Sequence, residues 1–102
     1  MFGLVVRFTC KDEASAEAFD GLVANTIEKI RDREPGTLVY ASHRVEGQPL
    51  QRIFYELYRD RAAFDAHEEQ LHTKHFLAAR GEFLAATQVD WLQLQSGKGT
   101  DG

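Results

Sequence analysis

The sequence predicts an α+β domain of the ferredoxin-like kind: a β-α-β-β-α-β chain forming one antiparallel sheet with its helices on one face. Three observations predict it. The apolar period is two near both ends of the chain and in its middle, and three to four in the two segments between. The two middle strand segments are separated only by Gly47-Gln48-Pro49-Leu50-Gln51, a connection short enough to force an antiparallel hairpin. Each helical segment then leads back to a further strand, which is the split βαβ arrangement.

The first strand rests on Phe2, Leu4, Val6 and Phe8, which alternate with Gly3, Val5, Arg7 and Thr9. The first helix follows from Ala16, Phe19, Leu22, Val23, Thr26, Ile27 and Ile30. Asp12 suits its N-cap and Glu13 its first turn. Glu34-Pro35-Gly36 ends it, because proline disfavours helical geometry at the residue before it. Thr37 to Glu46 reads as the second strand, with Leu38, Tyr40, Ser42 and Arg44 on one face. Arg52 to Arg59 reads as the third. Asp60 caps a short helix in which Phe64, His67 and Leu71 share a face, and a second helical stretch carries His72, Phe76, Ala79 and Phe83 on one side. One bent helix and two separate helices fit equally. Gln88 to Gln95 is the last strand, with Val89, Trp91, Leu92 and Leu94.

The 102 residues suffice for one core, expected over residues 1–95, followed by a polar, Gly-rich tail over 96–102 expected to be mobile. A net charge of -4 speaks against nucleic acid and anionic membrane as partners, since both reward a basic face. No apolar run reaches the roughly 18 residues of a membrane span, and no leader sequence is evident at the N-terminus. The single cysteine, Cys10, cannot form an intrachain disulfide, which fits a reducing, cytoplasmic setting.

The strands are apolar on both faces. Val5 opposes Val6; Val39, Ala41 and Val45 oppose Leu38 and Tyr40; Ile53, Tyr55 and Leu57 oppose Phe54 and Tyr58. Helices cover one face only, and a sheet with one wet face would alternate cleanly. A second copy docking sheet to sheet is therefore expected, giving a homodimer.

Two histidines, His67 and His72, turn inward by helical phase and suggest a pocket with groups that titrate near neutral pH. Each also suits a hydrogen-bonded core role. On an ideal helix the two differ by about 140°, so with His75, Glu68 and Glu69 they do not make the spacing of a zinc site, and no metal is expected. Glu56 stands mid-strand among aromatics and needs a partner if buried, with Arg44, His43 or His67 in reach. It could orient a histidine base, hold a substrate hydroxyl, or form a structural ion pair. Tyr40, Tyr55, Tyr58, Trp91, Phe8 and Phe54 could line a flat aromatic pocket, or could simply be core. There is no phosphate loop, nucleophile elbow or dinucleotide fingerprint.

Glu34-Pro35-Gly36-Thr37-Leu38-Val39-Tyr40 resembles the entry into the second strand of the antibiotic biosynthesis monooxygenase domain family. Phe54-Tyr55-Glu56-Leu57-Tyr58-Arg59-Asp60, then Ala66-His67 and His72, resembles that family's strand, helix start and paired-histidine segment. The resemblance runs from Phe2 to about Leu94. It implies a dimeric α+β barrel with a pocket between sheet and helices in each subunit. It implies, too, a cofactor-free monooxygenase that oxidises a small phenolic, quinol or anthrone-type aromatic with molecular oxygen. On that pattern His67 and His72 are the candidate base, and Tyr40, Glu56, Tyr58, Phe76 and Trp91 are the candidate substrate-binding residues. The haem-degrading branch resembles an Asn, Trp and His constellation that this chain departs from: Asn25 is in the first helix, Trp91 in the last strand, and Tyr58 takes the usual Trp place. A non-catalytic or stress-related module that holds a small ligand in the same barrel is the alternative from another class, and an isomerase or lyase is a third.

Overall fold

A computed structural model describes residues 1–100; Asp101 and Gly102, the end of the expected tail, lie outside the described residues. Strand β1 (Phe2–Cys10) is followed by helix α1 (Glu13–Arg33), the hairpin β2 (Thr37–Val45) and β3 (Gln48–Tyr58), helices α2 (Arg61–Glu69) and α3 (Leu71–Ala79), a 3-10 turn at Arg80–Glu82, and β4 (Leu84–Gln93). The four strands form one antiparallel sheet in the order β2-β3-β1-β4. This is the expected ferredoxin-like α+β architecture.

Each boundary has a local cause. Asp12 adopts extended backbone and accepts the Ser15 N–H at 2.7 Å, and Asp60 does the same for Ala63 at 2.8 Å, so both helices start on a satisfied donor. Pro35 follows the C-cap of α1, and the chain enters β2 at once. Gly36 has a packing reason. A Cβ there would stand 2.7 Å from Cβ of Ala63, so only glycine lets the first turn of α2 come this close to the start of β2.

Four boundaries differ from the sequence reading. The hairpin turns at Glu46-Gly47, with Gly47 at φ 75°, and β3 already begins at Gln48. Gln48 and Pro49 read as loop, yet Pro49 lies beyond the last β1 pair at Gln51 and at the irregularity between the Arg44 and Val45 pairs with β2, where a strand tolerates proline. Of the two open alternatives after Asp60 the chain takes the two helices, and the first ends at Glu69, before Leu71, because the backbone at Gln70 is extended. That break resets the helical phase, so Leu71 is 82% exposed instead of sharing the inward face of Phe64 and His67. The 3-10 turn ends α3 before Phe83, which therefore packs against the core from beyond the helix and not as part of it. Finally, β4 starts at Leu84 and ends at Gln93, where Gln88 to Gln95 was expected, because pairing with Cys10 and Thr9 continues its ladder past the polar residues.

The core lies between the sheet and α1, α2 and α3. Leu4, Val6, Phe8 and Cys10 of β1 and Phe54 and Tyr58 of β3 meet Ala16, Phe19 and Val23 of α1, Phe64 of α2 and Phe76 of α3. Phe8 and Phe54 meet edge-on at 4.7 Å, and Phe19 and Phe76 pack against both. Each such ring contributes on the order of 1.5–3 kcal/mol by burial. At the other end of the sheet Arg52 is buried, and Asp20 of α1 holds its guanidinium through two bonds of 2.8 and 3.0 Å. The opposite sheet face carries Val5, Val39, Ala41, Ile53 and Tyr55, all half-buried.

Candidate active site

Glu34 is the residue around which the site is built. It sits at the C-cap of α1, where a carboxylate meets the negative end of the helix dipole and is disfavoured. Its side chain nevertheless points inward and is 4% exposed. There it accepts three hydrogen bonds: Oε1 takes Thr37 Oγ1–H at 2.6 Å and His67 Nδ1–H at 2.7 Å, and Oε2 takes the Nε2–H of His72. Burial pushes its pKa up, but the hydrogen bonds from His67, Thr37 and His72 outweigh burial and hold the carboxyl below its usual range.

This geometry assigns the tautomers. Glu34 is the acceptor, so His67 carries its proton on Nδ1 and His72 on Nε2. Thr73 Oγ1 lies 3.4 Å from the same Nδ1 of His67. The free nitrogens differ. His72 Nδ1 is sealed inside the protein with no partner, and it is the one such side-chain atom among the described residues. His67 Nε2 has no partner among the described residues either, yet it is not sealed, and His67 lines a cavity between the sheet and helices α2 and α3. His67 therefore turns its unpaired Nε2 toward that cavity, whereas His72 works behind it.

The cavity has a volume of about 180 Å³. Leu4, Val6 and Phe8 of β1 form its floor with Val89 and Trp91 of β4. Phe64, His67 and Glu68 of α2 form one wall, and Thr73, Phe76 and Leu77 of α3 the other. Tyr40 and Glu56 close the end nearest His67, and Arg80 stands at the rim over the rings of Phe8 and Phe76. The Tyr40 and Tyr58 rings flank the imidazole of His67 at 5.4 and 5.3 Å.

Glu56 finds a partner the sequence reading did not name. Arg44 and His43 point elsewhere, the former to Asp20 and the latter to the Ile53 carbonyl, and His67 is taken by Glu34. Tyr58, two residues along the same strand face, donates its O–H to Glu56 Oε1 at 2.6 Å. Burial raises the pKa of Glu56, only partly offset by the Tyr58 bond and the nearby His67. Burial and the Glu56 charge push the Tyr58 phenol far above its ordinary value, and Tyr40 likewise.

Of the residues singled out from the sequence, His67, Tyr40, Glu56, Phe76 and Trp91 meet at this cavity, Trp91 on its rim and 59% exposed. His72 and Tyr58 do not line it; they stand directly behind His67 and Glu56. Tyr55 lies on the opposite sheet face. Thr73 and Arg80 carry no signal in the sequence, and Glu34, Thr37 and Glu68, read there as a helix stop, a strand entry and a rejected metal ligand, gain a place in the site only here. The signal for Glu34 was an acidic residue at a helix C-terminus, an unfavourable place that calls for a reason. Among the described residues, no group of three or more His, Cys, Asp or Glu side chains is arranged to hold a metal ion.

The chain can now be set beside known proteins. A family model for antibiotic biosynthesis monooxygenase matches residues 1–80. A proposed antibiotic biosynthesis monooxygenase of Caulobacter crescentus superposes with a TM-score of 0.86 at 26% identity, over 93% of this chain and 90% of that one. Rv0793 from Mycobacterium tuberculosis superposes with a TM-score of 0.85 at 24% identity, over 94% and 96%. PA3566 from Pseudomonas aeruginosa does so with a TM-score of 0.82 at 23% identity, over 93% and 94%. No curated protein matches the sequence significantly. The match over residues 1–80 spans β1 to β3, α1 to α3 and the cavity residues through Arg80, and the chain belongs to the antibiotic biosynthesis monooxygenase family.

Proposed function

We propose that the protein is a monooxygenase that oxidises a small phenolic, quinol or anthrone-type substrate with molecular oxygen, using His67 as the base. The observation that carries this reading is the Glu34–His67 pair: a buried carboxylate fixes Nδ1–H and leaves Nε2 free toward an apolar cavity. A base so oriented is suited to taking a phenolic proton, and the imidazolium so formed, held by the Glu34 carboxylate, offsets the cost of burying the phenolate charge beside it. Rings stack readily on Phe76 and Trp91, and Tyr40 and Glu56 are placed to hold a substrate oxygen.

The chemistry balances without an added reductant. A phenol and one O₂ give a quinone and one water; the substrate supplies all four electrons. His67 takes the O–H proton, the phenolate passes an electron to O₂, and the two radicals join at the ring carbon. Loss of the ring C–H proton with O–O cleavage then leaves the second carbonyl and water.

The apolar second sheet face supports a homodimer docked through that face, with Val5, Ile53 and Tyr55 covered by the other copy. No helix among the described residues is long and apolar enough to cross a membrane, and the lone, buried Cys10 suits a cytoplasmic setting.

The test is oxygen uptake on a panel of phenols, quinols and anthrones, with quinone formation followed by absorbance. Turnover by the wild type and its loss in His67→Ala is the expected result. A wild type indistinguishable from buffer across the panel would sink the reading.

A further inference from the structure

Behind the Glu34–His67 pair the cavity holds a second proton-handling pair that the base chemistry does not use. Glu56 Oε1 accepts the Tyr58 O–H at 2.6 Å. Its other oxygen, Oε2, has no partner among the described residues and is not sealed from the cavity. The carboxyl is thus held by one atom and presented by the other. The charged and titratable groups that face it are Tyr58 beside it on β3, Tyr40 on β2, His67 and Glu68 on α2, and Arg80 after α3. The β1 residue paired with it is Leu4, so nothing charged reaches it from the floor. A carboxyl in such a place gives up its proton reluctantly.

We propose that Glu56 is a catalytic acid that delivers a proton to the reduced dioxygen while His67 acts as the base. The inference rests on the oxygenase reading above. Phenolate and O₂ combine at the ring carbon to give a peroxide anion. The Glu56 carboxyl gives its proton to the distal oxygen, forming the hydroperoxide. The carboxylate so formed removes the ring C–H proton as the O–O bond breaks, which restores Glu56 as the acid. The departing hydroxide takes the proton that His67 removed from the phenol, and water leaves. Two protons come off the substrate and two end on one oxygen, with no other reagent. Tyr58 is a positioning residue here: its O–H holds Oε1 so that Oε2 faces the cavity.

The experiment compares wild type, Glu56→Gln, Glu56→Asp and His67→Ala on a phenol that the wild type turns over. 4-Nitrophenol serves as a binding probe, because its colour reports whether it is ionised. Glutamine keeps an acceptor for Tyr58 but cannot carry the proton. The expected result is a kcat lower by about 100-fold or more for Glu56→Gln, with KM within about threefold and bound nitrophenol still ionised. Glu56→Asp should regain part of the rate. It also decides the matter should the glutamine variant misfold, since an aspartate variant that folds but is no slower than the wild type under limiting acid, at high pH, would contradict the role. A Glu56→Gln kcat within about threefold of the wild type would overturn the proposal with the oxygenase reading intact. So would loss of nitrophenol ionisation in Glu56→Gln, which would make Glu56 a support of His67. A wild type that ionises nitrophenol but takes up no oxygen with any phenol would overturn the oxygenase reading, and this role with it.

Discussion

Glu34 and His67 stand 33 residues apart in sequence and 2.7 Å apart in space, a carboxylate at the end of one helix holding the imidazole at the end of another. Through His72 and Thr37 the same carboxylate ties together α1, β2, α2 and α3. Orientation of the base and attachment of the helices are therefore one structural device.

Removing the carboxylate should damage both. In Glu34→Ala, two buried N–H groups and a hydroxyl lose their acceptor, at about 1–3 kcal/mol for each donor left unsatisfied. The expected outcome is a loss of about 3 kcal/mol or more in chemical denaturation and a large fall in kcat. Glu34→Gln keeps an acceptor at one position only and should fall between.

The histidines should separate by readout. His67→Ala removes the group that faces the cavity, and kcat should drop by about 10²–10⁴-fold. His72→Ala removes a sealed group behind it, so the larger effect should be on stability, about 1–3 kcal/mol, with a smaller loss of kcat. Equal kinetic losses with equal stabilities would contradict the division between them. Thermal melts and steady-state rates on the same preparations make the comparison.

Gly36→Ala places a methyl 2.7 Å from Cβ of Ala63 and so pushes the first turn of α2 away from β2. Since α2 carries His67, the variant should lose stability by about 1–3 kcal/mol, as overpacked cores do. The rate should fall although no pocket residue has changed. The double variant Gly36→Ala, Ala63→Gly should recover much of both.

Two carboxyls set opposite pH dependences. Glu34 is held below its usual range, so its contribution is present above the unfolded value of about 4.3. That contribution fades as pH falls through the lower folded value, because the unfolded state then binds the extra proton. Glu56 is raised, so the folded state binds the extra proton and stability from this group declines as pH climbs from about 4.3 through its folded value. Melting temperature against pH should accordingly drop less steeply in acid for Glu34→Gln than for the wild type. Glu56→Gln should gain on the wild type as pH rises. The same slope in all three proteins would refute both assignments.

The proposed dimer has its own test. Ile53→Glu puts a charge in the half-buried apolar face opposite the helices, away from the cavity. Sedimentation should show the wild type as a dimer and the variant as a monomer at micromolar concentration. A monomeric wild type would leave that face without the cover proposed for it.

Much of the fold could be read along the chain, because period and punctuation are local. Phe2 to Phe8 alternate, Ala16 to Ile30 recur at helical spacing, and Asp12, Asp60 and Pro35 stand where helices must begin or end. Reading failed where neighbours in space override local preference. Gln48 and Pro49 look like loop but are drawn into β3, and Gln70 breaks a helix whose apolar pattern ran on through Leu71. In the site, helical phase turned His67 inward and period two put Glu56 beside Tyr58 on the third strand.

The sequence alone determined the ferredoxin-like order, the inward histidine and the acid among aromatics, all consequences of spacing within one element. Tertiary structure decided who their partners are. Glu34 reads as a helix stop until packing brings α2 and α3 to it, and Tyr58 reads as a pocket wall until its hydroxyl meets Glu56. A buried polar group must be satisfied, but the sequence offers several candidates for each. Only the three-dimensional arrangement, with its cost for every unpaired donor, selects one.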